Sequence, residues 1–415
     1  MIDTPDYQPS ALTPLDNALA QILTSVAPRC GEEVIALANS QGRSLSEDVV
    51  ANLSVPPMAN SAMDGYALRA SDSGDPERDL PVSQRIAAGQ VGLALEAGTA
   101  ARIFTGAPIP AGADAVVMQE NCILRGEAIG VAKRVSPQEN VRPVGADIEA
   151  GSTVFARGHR LRPQDVGVLA SLGLTEVRVS RKLRVALMTT GDELQRPGAE
   201  LLPGQIYDSN FATLSALLTA LHIEIVDCGR VGDTLDATRS ALLAAASRAD
   251  CVITTGGVSV GEEDHVRAAV EQLGKIDLWK LAVKPGKPFA FGKITSADES
   301  CHFFGLPGNP VSAFVTFVLV VRPTLLALQG ASVEPPKLFP VRSGFSRERG
   351  GSRQEYLRAR LDSSAEGLVA TPLNNQSSGV ALSLSRSDGL LIVPPYVAVA
   401  QGEVLQFIPF SELVA

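Results

Sequence analysis

The residues from Thr254 to His265 read TTGGVSVGEEDH and follow a short apolar run, Cys251-Val252-Ile253. Gly256, Gly257 and Gly261 let backbone N–H groups approach an anion with no Cβ in the way. A helix following them would turn its positive end on the same anion. Thr255 and Ser259 add hydroxyl donors. Three carboxylates come next, and carboxylates repel a phosphate unless a divalent cation bridges them. Mg²⁺ is held in that manner, by one or two carboxylates together with substrate phosphates, and a metal polarises a phosphoryl oxygen for attack. Both signals in one loop suit a phosphate ester or anhydride with a metal better than a bare anion. Glu193, Asp233 and Asp264 are the carboxylates placed for that task, whereas Glu262 and Glu263 read as exposed first-turn acids. Lys280, Lys284 and Lys287, from a neighbouring strand and loop, supply compact positive charge.

These groups meet only if a sheet gathers them. Between Arg181 and Gln329 strand-like and helix-like runs alternate: Leu183-Met188, a helix over Phe211-Leu221 capped by Ser209 or Asn210, Ile223-Cys228, a helix over Thr234-Ser247, and Cys251-Ile253. A helix over Asp264-Leu273, strands Ile276-Val283, Phe289-Ile294 and His302-Phe304, and a long helix opened by Asn309-Pro310 complete the run. Such alternation predicts a parallel-type sheet with right-handed crossovers, the αβα class. Ligands of an open parallel sheet lie beyond the carboxyl ends of its strands. Those ends lead into Thr189-Glu193, Gly229-Asp233, the opening loop, Lys284-Pro288 and Gly305-Pro310. Glycine and proline punctuate any turn, but five polar loops on one predicted rim point to a site.

The flanks differ. Leu15, Ala18, Leu19, Ile22, Leu23 and Val26 keep helical spacing over 14–27, with Thr13 as N-cap and Pro14 in the first turn. Short apolar runs among Gly, Pro and Asn turns fill 49–148 and predict a β-rich domain. Pro163-Leu172 reads as a helix and Glu176-Val179 as a strand; the expected division joins 1–48 with 149–180 as a discontinuous N-terminal domain. The αβα domain takes 181–330. After Glu334-Pro335-Pro336, residues 331–415 read as a small β-domain, making the chain α/β plus β overall.

A net charge of −9 argues against a nucleic-acid or membrane binder. Cys30, Cys122, Cys228, Cys251 and Cys301 are scattered, as reduced thiols of a cytoplasmic protein would be. The start, MIDTPDYQPS, is polar and unlike a signal peptide. The most apolar stretch, Val311 to Val321, reads as ending at Arg322-Pro323, short of the ~20 residues that span a bilayer.

Longer segments carry a resemblance. Asn60-Ser61-Ala62-Met63-Asp64-Gly65-Tyr66-Ala67, the run Ile103 to Asp114 (IFTGAPIPAGAD), Asn140-Val141-Arg142-Pro143 with Gly145 and Asp147, and Thr190-Gly191-Asp192-Glu193-Leu194 come in order. Asp208-Ser209-Asn210, TTGGVSVGEED, Lys284-Pro285-Gly286-Lys287-Pro288 and Gly305-Leu306-Pro307-Gly308-Asn309-Pro310-Val311-Ser312 continue the series. From about Pro14 to the C-terminus the chain resembles the molybdopterin molybdenumtransferases, the bacterial MoeA proteins and the E domains of plant and animal molybdenum insertases such as gephyrin. It departs from them at Pro57-Met58-Ala59-Asn60, where an aromatic and an aspartate are usual, and at His265, where Tyr is frequent.

The resemblance implies four domains and a homodimer whose active site lies between the αβα domain of one subunit and the β-rich domain of the other. It implies that molybdate and adenylylated molybdopterin react, AMP leaves, and molybdenum is placed on the dithiolene sulfurs. Carried over to this sequence, Asp64, Thr105, Asp147, Glu193 and Asp264 are catalytic candidates. Asp233, Lys280, Lys284, Pro307 and Pro310 match further cleft positions, and Ser377-Ser378-Gly379 a segment that reaches the site. Glu193 and Asp264 are the expected Mg²⁺ ligands. A molybdopterin adenylyltransferase and molybdoenzyme maturation proteins are expected partners. Two rival readings are an adenylyltransferase, which shares the αβα domain but needs an ATP site, and a non-enzymatic, gephyrin-like scaffold.

Overall fold

The computed structural model describes residues 12–258, 265–296, 299–365 and 367–414. Its centre is a six-stranded mixed sheet built from β1 (Arg184–Thr190), β2 (Glu224–Val231), β3 (Cys251–Thr255), β4 (Gly274–Lys280), β5 (Pro288–Ser296) and β6 (Glu299–Leu306), in the order β2-β1-β3-β6-β5-β4. Strands β2, β1, β3 and β6 run parallel. β5 is antiparallel to both β6 and β4, so β4 points the same way as the parallel set. β1 and β3 are buried almost throughout, as expected of central strands covered on both faces.

Helices pack on both sides. α1 (Ser209–Ala220) and α4 (Pro310–Leu328) cover one face, with Leu214, Leu218, Val311 and Val315 against Leu187, Ile253 and Phe304. α2 (Leu235–Ala246) and α3 (His265–Leu273) cover the other, with Leu242, Ala269 and Val270 against Ala186, Val252 and Phe303. Deleting one of these buried phenylalanine rings would cost about 3–5 kcal/mol.

Several local expectations need correction. The cap of α1 is Asp208, whose side chain accepts from the Phe211 N–H, not Ser209 or Asn210. Thr13 does not cap the first helix (Leu15–Ser25, N-cap Pro14); its backbone forms a bridge with Leu281. β2 does not stop at Cys228: it is irregular near Gly229, which takes φ +72°, and resumes to Val231. The apolar stretch expected to break at Arg322-Pro323, short of a membrane span, continues through them to Leu328. A π-helical segment at Phe317–Val321 lets the ring of Pro323 sit in the first turn of a new α segment, where its missing N–H costs nothing. The whole helix has 19 residues, long and apolar enough to cross a membrane, and 89% of its most apolar window is buried inside the protein.

On the N-terminal side, Glu32–Ala36 pairs antiparallel with Glu176–Ser180, and Val49–Val50 with Thr153–Phe155. The helix Leu15–Ser25 instead sets Ala18 and Ile22 in the core that holds Leu325 and Leu326 of α4. Between these pieces lies a six-stranded sheet: Ala115–Met118, Gly65–Leu68, Ala100–Ile103, Asp75–Ile86, Ala128–Val131 and Ile123–Arg125, in that spatial order. At the C-terminal end, Gln354–Ser364, Gly367–Pro372, Phe339–Ser343, Val404–Pro409 and Gly389–Val393 close into a small barrel, the last strand pairing with the first. Val283–Lys284 adds a short parallel strand to it beside Gln354-Glu355, tying the barrel to the loop after β4.

Candidate active site

A cleft of about 720 Å³ opens beyond the carboxyl ends of β1, β2, β3 and β6. Its wall takes Thr190 from the end of β1, Gly191 and Glu193 from the loop after it, and Asp233 from the loop after β2. Thr255, Gly256 and Gly257 come from the end of β3, and Pro307, Gly308, Asn309 and Pro310 from the turn into α4. Four of the five loops expected on the rim therefore contribute to one cavity, and the fifth, Lys284–Pro288, reaches it with Pro288 alone.

Each loop is held by a specific contact. Gly256 adopts φ +88°, where a Cβ would meet the carbonyl and hydroxyl oxygens of Thr190 at 2.8 Å. Gly257 adopts φ +64°, and a Cβ there would press on Val266 of α3 at 2.5 Å. Only glycine fits these positions without strain. A Cβ on Gly308 would lie 3.7 Å from the Gly256 Cα, so the two turns approach closely. Asn210 ties them together: its Nδ2 donates to Thr255 Oγ1 at 2.8 Å and to the Gly308 carbonyl at 2.7 Å. Below it, Thr189 Oγ1 donates to Asp208 Oδ2 at 2.7 Å, in a buried bond.

The carboxylates differ in their engagement. Asp233 Oδ2 accepts the Asp192 N–H at 3.1 Å, so it fastens the loop after β1 rather than capping α2, which Thr234 caps. Glu193 lies exposed on the wall. Asp264 and Ser259 lie outside the described residues. Among the described residues no group of three or more His, Cys, Asp or Glu side chains gathers.

The lysines stand elsewhere. None of Lys280, Lys284 and Lys287 lines the cleft, and only Pro288 of that loop does. Lys284 Nζ instead lies 3.7 Å from Glu355, a buried carboxylate of the barrel that also takes Arg347 at 3.0 Å. Ser378 acts through its backbone, its carbonyl accepting the Val311 N–H at the start of α4 at 3.0 Å, while the adjacent Gly379 reaches the wall.

Asp64, Thr105 and Asp147 sit on the second domain. Asp64 and Thr105 meet there: the Thr105 N–H and hydroxyl donate to Asp64 Oδ1 at 2.8 and 3.0 Å. Those bonds, the backbone one foremost, hold the Asp64 carboxyl below its ordinary range, and the Arg102 charge adds to the effect. Asp147 lies exposed on a separate loop, its N–H on the Val55 carbonyl. None of the three lines the cleft of its own chain.

Sequence reasoning about the rim passed over Ile206, Tyr207 and Asn210, all on the wall. The signal was present in the segment Asp208-Ser209-Asn210, but as a helix start it drew no attention to its side chains.

Comparison with known proteins bears on these placements. Residues 13–173 match the family described as MoeA N-terminal region (domain I and II), residues 186–327 the "Probable molybdopterin binding domain", and residues 340–410 the MoeA C-terminal region (domain IV). The chain is 37% identical over 406 residues to the molybdopterin molybdenumtransferase of Haemophilus influenzae, covering 96% of this chain and 99% of that one. It is 34% identical over 400 residues to molybdopterin molybdenumtransferase 2 of Mycobacterium tuberculosis, covering 93% and 97%. Among solved structures, a molybdopterin biosynthesis MoeA protein from Pyrococcus horikoshii aligns with TM-score 0.82 at 28% identity, covering 96% of this chain and all of that one.

Proposed function

Since the chain belongs to the molybdopterin molybdenumtransferase family, we propose that the cleft at the carboxyl rim of the central sheet is where molybdenum insertion takes place, in a dimer that shares its sites. The chain is a transferase of molybdenum cofactor biosynthesis, and matches spanning nearly its full length disfavour the adenylyltransferase reading. The substrates are molybdate and adenylylated molybdopterin. The phosphoanhydride is cleaved, AMP departs, and molybdenum goes to the dithiolene sulfurs. The setting is cytoplasmic, in keeping with five free cysteines.

The observation that carries this reading is the convergence of Glu193, Asp233, Thr255, Gly256, Gly257 and Pro307–Pro310 on one cavity. The backbone of Gly256-Gly257 and the hydroxyl of Thr255 orient a phosphate, while Asn210 fixes the spacing between that turn and Gly308. The N-terminus of α4, with Pro310 and Ser312 on the wall, directs its dipole at the same place. The donor set fits Mg²⁺, because Glu193 and Asp233 both face the cavity and such an ion takes one or two carboxylates plus phosphate oxygens. When bound, the ion would neutralise charge on the departing phosphate. Asp64 stays ionised under its two bonds from Thr105 and would face the cleft of the partner subunit.

Subunit mixing tests this. Chains carrying Asp64→Asn and chains carrying Glu193→Gln should each be inactive, yet form dimers. Random mixing makes half the dimers mixed, each with one intact shared site, so turnover should return to about a quarter of the wild-type level. No recovery on mixing would place both residues in a site made by a single chain.

A further inference from the structure

On the second-domain sheet, Asp75–Ile86 and Ala100–Ile103 run parallel and set Arg85 directly opposite Arg102, which in turn lies opposite Tyr66. Like charges directly opposite on adjacent strands are destabilising. Neither arginine forms an ion pair among the described residues. Both guanidiniums lie over the Phe104 ring, each Cζ 4.5 Å from its centroid, and Arg102 is also 5.2 Å from the centre of Tyr66. The ring face offsets part of the repulsion but gives no charge-assisted hydrogen bond. Arg102 is pinned, its Nη1 donating to the Gly65 carbonyl at 2.8 Å and its Nη2 to Gln119 Oε1 at 2.6 Å. Arg85 is exposed, and its fork has no hydrogen-bond partner among the described residues.

The cleft wall supplies the matching half. Its described lining includes the carboxylates Glu193, Asp208 and Asp233 but no lysine, arginine or histidine. A cavity meant for a polyanion is electrostatically incomplete in that form. Phe104 runs directly into Thr105, which holds Asp64, so the cationic pair borders the edge assigned above to the partner's cleft.

We propose that Arg85 and Arg102, stacked on Phe104, form a face for a tetrahedral oxyanion and bring to the partner's cleft the positive charge that its described wall lacks. The inference rests on the shared-site reading. Arg102 is held ready by its two bonds, and Arg85 offers a planar fork suited to two oxygens of one anion. Two substrates carry this chemistry: the phosphate of the nucleotide-linked molybdopterin, and molybdate.

The test uses the full-length dimer of the wild type, Arg85→Gln and Arg85→Lys. Thermal midpoints are read with AMP, with sodium molybdate, and with sodium chloride at matched ionic strength. Without ligand, Arg85→Gln should melt no lower than the wild type, since a like-charge pair is relieved. AMP or molybdate should raise the wild-type midpoint, with less than half that rise in Arg85→Gln and most of it in Arg85→Lys. Whichever ligand loses its effect is the occupant. The KM for that substrate should rise about tenfold in Arg85→Gln, with kcat within twofold, as befits loss of a charge-assisted contact. Equal ligand-induced shifts and equal KM in wild type and Arg85→Gln overturn the oxyanion face. The mixing of Asp64→Asn with Glu193→Gln chains, run alongside, separates the failures. If turnover recovers, the shared cleft stands without this face; if it does not, the shared cleft falls as well.

Discussion

Substituting Gly256 and Gly308 separately should distinguish a turn that must keep its shape from one that merely leaves room. The two residues face each other across the end of the cleft proposed to take the phosphate. At Gly256 a Cβ would stand 2.8 Å from the Thr190 carbonyl, about 0.6 Å inside the 3.4 Å of ordinary contact. Thr190 is buried at the end of β1 and has little freedom to yield. The positive φ of +88° adds roughly 1–2 kcal/mol for an alanine, and the forced backbone shift about 1–3 kcal/mol. Gly256→Ala should thus destabilise the αβα domain by about 2–5 kcal/mol, lowering its melting midpoint by roughly 5–15 °C. Even folded, its displaced turn should cost about a hundredfold in turnover, as a misplacement near 1 Å does. At Gly308 the nearest atom would be 3.7 Å away and no positive φ is imposed. Gly308→Ala should melt within about 0.5 kcal/mol of the wild type yet lose activity by narrowing the gap between the turns. Calorimetry and AMP release from adenylylated molybdopterin read the two effects. A Gly256→Ala protein that melts and turns over like the wild type would refute the claim that this glycine sets the geometry of the site.

Asn210→Ala leaves the buried Thr255 hydroxyl without its donor and should cost about 1–3 kcal/mol in a denaturant titration, together with a loss of turnover; unchanged values would show that the two turns hold themselves. Thr105→Val keeps the backbone bond to Asp64 but removes the hydroxyl, so the Asp64 titration, followed by NMR, should move part of the way up toward the ordinary carboxylate range; a stationary titration counts against the hydroxyl. Burial, with the charges of Arg29 and Lys293, pushes the His302 ring down to about 4. The unfolded chain takes that proton near pH 6.5, so it binds more protons than the folded chain between the two values. The contribution of the neutral ring is complete above about pH 6.5 and is lost as the pH falls toward about 4. His302→Phe should flatten that limb of the stability profile, and a profile as steep as before would exclude His302 as its source.

The rim was legible because its strands carry unmistakable runs, Leu183-Met188 and Cys251-Ile253, and because glycine must mark backbone that admits no Cβ. Gly256 and Gly257 announced the pocket before any coordinate did. What stayed hidden depends on side-chain direction. Lys284 looked like a phosphate ligand from its place in the chain, but the barrel strand beside it offers Glu355, a contact 71 residues away that no local pattern contains. Asn210 was read as a possible helix cap, which hid its bonds to Thr255 and Gly308 across the two turns. Arg322-Pro323 marked the end of the apolar stretch, yet the helix runs on, although proline removes one helical bond. The π segment ahead of it absorbs that loss through packing, which has no counterpart in periodicity. Asp64 came into view only through resemblance, for alone its segment reads as a turn.

The helix from Pro310 to Leu328 carries a hazard that the order of the chain removes. Its 18-residue window has a mean hydropathy of 2.1 and, judged alone, would suit a lipid bilayer. As the ribosome delivers the chain, all six strands of the central sheet emerge before it, so the sheet face that covers one side of it comes first, while Tyr356, Ile408 and Phe410, which pack in the same core, follow. A circular permutant beginning at Pro310 would reverse that order, presenting a greasy leader to chaperones and export machinery with no cover yet made. The linear arrangement thus sets one side of the cover ahead of the longest apolar segment, and leaves only the other side to be closed by the barrel that follows.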